Sequence, residues 1–349
     1  MHTLSRSFRR TYHRPQRLIG SVAACMLSLP PICVVTSQAA TSSEKLRLVQ
    51  TIPLPGVRGR IDHLSIDLKR QRLFVAALGN NTLEIVDVAA GKRLRAVTAL
   101  NEPQGVRFVP ELNKIYVANG GDGVCTIIQG DTLQSTGELK LGDDADNIRY
   151  DPQTSSLFVG YANGGLAIID AKTDRLVSEV RLDGHPESFQ LEKQGQRIFV
   201  NIPSTKKIVV VDRKAHKVLS TWPLTLAHAN YPMALDEVDH CLFVGFRQPS
   251  QLGIFDIATG ALVQHLSAVG DADDLFYDER LRRVYIIGGE GFVDVLARKG
   301  SQQYQRLNRV PTTAGARTGL LVPELNRLYV AVPHRGNHPA EIRGYELLP

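Results

Sequence analysis

One short apolar tetrapeptide with an aromatic at its third position recurs seven times along this chain. The copies are Arg72-Leu-Phe-Val, Lys114-Ile-Tyr-Val, Ser156-Leu-Phe-Val, Arg197-Ile-Phe-Val, Cys241-Leu-Phe-Val, Arg283-Val-Tyr-Ile and Arg327-Leu-Tyr-Val. Their aromatics, Phe74, Tyr116, Phe158, Phe199, Phe243, Tyr285 and Tyr329, are spaced 42, 42, 41, 44, 42 and 44 residues apart. A fixed period of this length marks a repeat architecture, in which each unit buries its apolar face only against its neighbours.

Each period reads as four short strands. A first strand ends near an aspartate (residues 61–67, 145–151, 233–236 and 274–278), and the aromatic tetrapeptide is the second. Gly- and Asn-rich turns such as Gly79-Asn80-Asn81 and Asn119-Gly120-Gly121 follow, as tight hairpins require. An apolar third strand such as Ile208-Val209-Val210-Val211 ends in Asp, at Asp87, Asp170, Asp212 and Asp256, and a polar turn leads into the fourth. Because those aspartates precede turns in unit after unit, they are read as hairpin caps rather than as site residues.

Four-stranded units of about 40 residues are propeller blades. The seventh unit supplies three strands before Pro349, and residues 47–54 match the fourth strand of the fourth unit, residues 217–224, position by position. The expected fold is therefore all-β: a seven-bladed β-propeller of four-stranded blades, its ring closed by the N-terminal strand pairing in the last blade. Such closure removes the open edges that a linear array would expose.

The 41 Lys and Arg against 35 Asp and Glu suggest a basic protein, but five of the arginines lie before residue 40, where there is no acid. Without Arg6, Arg9, Arg10, Arg14 and Arg17 the balance is 36 to 35, which gives no charge-based reason to expect nucleic acid as a partner. Those arginines precede an apolar run, residues 18–35, and the small residues Ser37, Ala39 and Ala40. The pattern reads as a secretory signal peptide over residues 1–40, with the propeller over 41–349 and a periplasmic or secreted destination. The alternative is a retained anchor; Pro30-Pro31 interrupts the run, and a span needs about 20 apolar residues. The rest of the chain is expected to be monomeric and without a membrane span. Cys125 and Cys241 fall three units apart, too far to bridge, and are expected as small buried residues.

The unit over residues 72–97, RLFVAALGNNTLEIVDVAAGKRLRAV, resembles the YVTN-type propeller repeat. Residues 44–349, with the segments GHPESFQLE, GDADDLFYD and GARTGLLVPELNRLYVAVPHRG, resemble the YncE-like exported bacterial propellers. Several copies depart from the YVTN wording, with Phe for Tyr and no Thr-Asn after it. The resemblance implies the fold and little chemistry, since such propellers share no common reaction.

A ligand is expected at the channel mouth, where the entries to the first strands gather. The positions twelve and fourteen residues before each aromatic include Arg60, Asp62, Glu102, Gln104, Asp144, Asp146, His185, Glu187, Tyr231, Asp271, Asp273 and Arg317. Alternate residues of a strand share a face, so each pair looks into one funnel. Seven carboxylates converging there would focus a negative potential, offset in part by Arg60, Arg317 and His185. His63, His334 and His338 fall near the same face, and the loop over residues 332–339, the longest of its class, is a candidate lid. Arg247 is a candidate for anion contact.

No nucleophile elbow, zinc-protease helix or phosphate loop occurs in the sequence. The leading expectation is an exported propeller that binds a small molecule or a protein partner at the channel face, with no assigned catalysis and no evident cofactor. The alternative is a metal-dependent enzyme, lactonase- or lyase-like, holding a divalent ion at Asp146 and Asp273. A third is a scaffold docking a partner on the rim, and fold alone does not choose among them.

Overall fold

The computed structural model describes residues 44–162 and 164–349, so the signal peptide assigned to residues 1–40 lies outside the described residues. The described chain is built from seven four-stranded antiparallel sheets. Blade 1 comprises strands Leu64–Asp67, Arg72–Ala77, Thr82–Asp87 and Lys92–Val97. The innermost strands of blades 2 to 7 are Pro103–Val109, Ile148–Asp151, Phe189–Leu191, His228–Asp236, Ala272–Asp278 and Gly319–Val322. Each innermost strand neighbours those of the two adjacent blades, and blade 1 neighbours blade 7, so the ring closes at seven.

Burial grades outward within every blade. In blade 4, Arg197–Ile202 and Lys207–Asp212 are apolar and buried, whereas Lys217–Pro223 faces solvent along almost its whole length. The seven repeated aromatics are all buried in the second strands. Apolar clusters form between blades rather than within them. Phe74 and Ile85 of blade 1 pack with Phe108 and Ile115 of blade 2, and Val75 and Ala77 pack with Tyr329 and Ile342 of blade 7. Cys125 and Cys241 are buried and free.

The aspartates close turns. Asp170, Asp212 and Asp256 each accept the backbone N–H groups two and three residues on, at 2.7–3.1 Å. Asp236 and Asp278 do the same at the end of the first strands.

Strand Leu46–Pro53 is the outer strand of blade 7, antiparallel to Glu341–Leu347, with Leu46 opposite Leu347 and Ile52 opposite Ile342. In each of blades 1 to 6 the pairing of third and fourth strands slips by one residue, as at Ile85/Val86 and Val210/Val211, and blade 6 has a second irregularity at Arg298/Gly300. The N-terminal strand carries the same irregularity, between Leu48 and Gln50. A bulge sharpens the twist of an outer strand, and its recurrence makes this distant segment equivalent to the other six.

Candidate functional site

The approach to the innermost strands is bent in a repeated way. At Glu102, Asp144, Ala229 and Asp271 the backbone φ is 51°, 41°, 57° and 52°. Gly315 does the same in blade 7 at 89°, where a glycine relieves the steric cost. The residues that follow line a cavity of about 400 Å³ at the mouth of the channel, bounded by Arg60, Glu102, Gln104, Asp144, Asp146, His185, Glu187, Tyr231, Arg247, Asp273 and Arg317. All seven blades thus contribute a carboxylate or a cation to one concavity.

The three arginines are already committed. Arg60 donates to Asp62 at 2.5 Å. Arg247 lies over the Tyr231 ring, 3.8 Å from its centroid, and donates to the Ala272 carbonyl at 2.8 Å and to Asp273 Oδ1 at 2.5 Å. Arg317 donates to Asp271 Oδ1 at 3.0 Å, and its Nε lies 3.1 Å from Asp273 Oδ2. Asp273 is therefore clasped by two guanidiniums.

Asp146 and Glu187 have no such partner. Buried Asp146 takes only a hydrogen bond from Asn147 on Oδ2, at 3.3 Å, and its Oδ1 has no hydrogen-bond partner. The Nδ1 of His185 lies 2.6 Å from the Ala162 carbonyl, which turns Nε2 towards Asp146 Oδ2, 4.0 Å away. Burial, and then the charge on Asp146, push the Glu187 carboxyl up to about 8. Burial works against protonated His185, yet its pairing with Asp146 and the charge on Glu187 raise it to about 9. For Asp146 burial favours the acid, but His185 and His63 prevail and hold it below the usual carboxylate range.

His63 sits deeper, with Nδ1 3.3 Å from Asp274 Oδ1 and Nε2 3.8 and 3.9 Å from Asp62 and Asp146. Burial opposes its charge, but Asp274, Asp62 and Asp146 together raise it to about 10. Asp62 is fully enclosed, its Oδ1 unpartnered, and burial foremost pushes it to about 7.

Among the described residues, one group of three has ligand atoms close enough to share a metal: Asp146, His185 and Glu187, all within 4.8 Å of one another. Asp273, paired with Asp146 in the sequence reading, is not in it, because Arg247 and Arg317 occupy its carboxylate. Asp144 is half exposed and accepts from Gln104 at 2.8 Å. Asp271 faces an adjoining hollow with Arg60, Arg317 and His334. His338 lies apart from the mouth, 3.8 Å from Glu341, because residues 335 and 338 pair with each other and fold the loop back. Below the mouth the channel holds two arginines that the sequence reading passed over, Arg107 and Arg149. Their signal was a shared register, nine residues before the anchors Tyr116 and Phe158.

The fold and this lining define a seven-bladed β-propeller with a polar, charge-rich channel. The chain is 22% identical over 223 residues to the uncharacterized protein YncE of Salmonella typhimurium, a match spanning 57% of this chain and 61% of that one. YncE of Salmonella typhi matches equally. The chain is thus a propeller similar to YncE, matched over less than two thirds of those relatives' length. No family model matches the sequence. Among solved structures, a chain of the mitotic checkpoint complex superposes with TM-score 0.73 at 13% identity, over 95% of this chain and 100% of that one. Kuenenia stuttgartiensis hydrazine synthase gives 0.70 at 17% identity, over 83% and 98%. At such identities the likeness is one of fold.

Proposed function

We propose that this protein is an exported binding propeller whose channel mouth takes a small cationic ligand, without catalysis. The observation that carries the reading is the unequal pairing at the mouth. Arg60, Arg247 and Arg317 are each held by Asp62, Asp271 or Asp273, while among the described residues no guanidinium pairs with Asp146 or Glu187, and Asp146 Oδ1 has no hydrogen-bond partner. The Asp146 carboxylate in a low-dielectric funnel attracts positive charge, and a cation bound beside it would let Glu187 ionise as well. A thermal-shift panel of spermidine, choline, Mn²⁺, neutral sugars and lactones tests it. The cations are expected to raise the melting temperature and the neutral compounds to leave it unchanged; a ligand at a hundredfold excess over its Kd adds ~2.7 kcal/mol. Asp146→Asn should keep the fold, checked by circular dichroism, and lose the shift. Cations without effect, or a shift retained in folded Asp146→Asn, would reject the reading.

The grouping of Asp146, His185 and Glu187 favours a second reading, a metal-dependent enzyme. With His185 Nδ1 donating to the Ala162 carbonyl, Nε2 can take an ion in place of its proton, beside two carboxylates, a donor set suited to a divalent transition metal. Turnover within a lactone panel, stimulated by Mn²⁺, removed by a chelator and lost in Glu187→Gln, would support it. Chelator-insensitive turnover, or none, would reject it.

A further inference from the structure

We propose that the deeper part of the channel is a separate anion site, in which Arg107 and Arg149 grip a small carboxylate or phosphate group. The two side chains come from the innermost strands of adjacent blades, at the same register, and face a cavity of about 260 Å³.

Their lack of partners sets them apart. Most other enclosed arginines are matched to a carboxylate: Arg72 with Asp67 at 2.9 Å, Arg213 with Asp151 at 3.6 Å, Arg343 with Glu341 at 2.7 Å; Arg283 instead donates to the Leu348 carbonyl. Arg107 makes no ion pair among the described residues, and its buried Nε has no hydrogen-bond partner. Arg149 reaches only the Ile148 carbonyl at 3.0 Å and Ser188 Oγ at 3.5 Å, and it lies over the Phe189 ring. Burial is the first cause that lowers both guanidiniums, Arg149 to about 10; the charge on Asp274, in the same cavity, opposes the shift of Arg149, and the charge on Arg107 adds to it. Two like charges held together away from bulk water are costly unless an anion joins them.

The class of ligand follows from the lining. A guanidinium fork matches the planar oxygens of a carboxylate or two oxygens of a phosphate, and two forks side by side can hold one such group. Gln190 adds a neutral polar side chain next to Arg149. Phe276 and Leu320, from blades 6 and 7 across the axis, supply an apolar wall, so an organic acid with a short carbon skeleton fits better than a bare ion. His63, the remaining cation of the cavity, is already matched to Asp274. The site does not depend on the proposed mouth ligand, since none of its residues lines the mouth cavity.

Calorimetric titration of the protein with succinate and with inorganic phosphate, at ionic strength fixed with NaCl, tests it. One equivalent of succinate is expected to bind, more tightly than phosphate. Arg107→Met and Arg149→Met, which keep the bulk of the side chain, should each weaken binding at least tenfold. Without ligand they should melt no lower than the native protein, because each removes an unmatched charge. Should a Met variant fail to fold, Arg149→Lys, which keeps the charge but loses the fork, should still weaken binding several-fold. Glu187→Gln, a change at the mouth that touches no residue of this cavity, should leave anion binding intact, which separates this site from the mouth. Absence of binding by both anions, or affinity unchanged in folded Arg107→Met and Arg149→Met, would overturn the proposal.

Discussion

Deleting residues 44–55 is expected to abolish the single cooperative unfolding transition of the propeller. That segment is the outer strand of blade 7, and it buries Leu46, Ile52 and Leu54 completely. Each buried aliphatic contributes ~1.5–3 kcal/mol, so the three together approach the total stability of a typical domain, ~5–15 kcal/mol. The deletion also strips the partner from strand Glu341–Leu347 along its whole length, leaving an unpaired edge beside buried Tyr345 and Leu347. Edges of that kind invite association with other chains. Differential scanning calorimetry should show a broad or absent transition and aggregation on concentration. A melt matching that of the full chain would mean that the ring does not need this strand.

Phe243→Ala is expected to cost ~3–5 kcal/mol, the range for truncating a buried aromatic. Phe243 is wholly buried, with Tyr304 edge-on at 4.9 Å and Tyr277 stacked at 5.5 Å. Those tyrosines belong to blade 6, so the cavity would open in the seam between blades, where the ring is held together. Neighbouring strands cannot collapse into the space without shifting the ladder on either side. Urea titration should show the loss as a lower midpoint. Val238→Ala is the control: Val238 lies in a turn, 77% exposed, and should change stability by at most ~0.5 kcal/mol. A Phe243→Ala cost below about 1 kcal/mol would contradict the assignment of the aromatic repeat to the seams.

The fold was legible because its determinants are periodic and local. The aromatics, the turn-closing aspartates and the match between residues 47–54 and 217–224 recur in sequence, so blade number and closure could be counted. The site was only half legible. Register placed Asp146, His185, Glu187 and Asp273 at one mouth, but which carboxylates remain unpaired depends on contacts between blades. Asp273 is spent because Arg247, near the end of the second strand of blade 5, reaches across to it. His338 was expected near the mouth, yet the bonds from Arg335 N to His338 O and from His338 N to Arg335 O, at 3.0 and 2.9 Å, turn the loop towards Glu341. Arg107 and Arg149 escaped notice because a lone arginine in a strand looks like a solvated residue. Only the channel makes their isolation meaningful.

The surplus of carboxylate at the mouth can be read directly from the two histidines in contact with it. Followed by NMR through the ring ¹³Cε1 resonances, His63 and His185 should remain protonated at pH 7.5, titrating near 10 and near 9. Titration of both at or below the ordinary histidine value of about 6.5 would contradict a channel mouth in which acidic side chains from four different blades surround them.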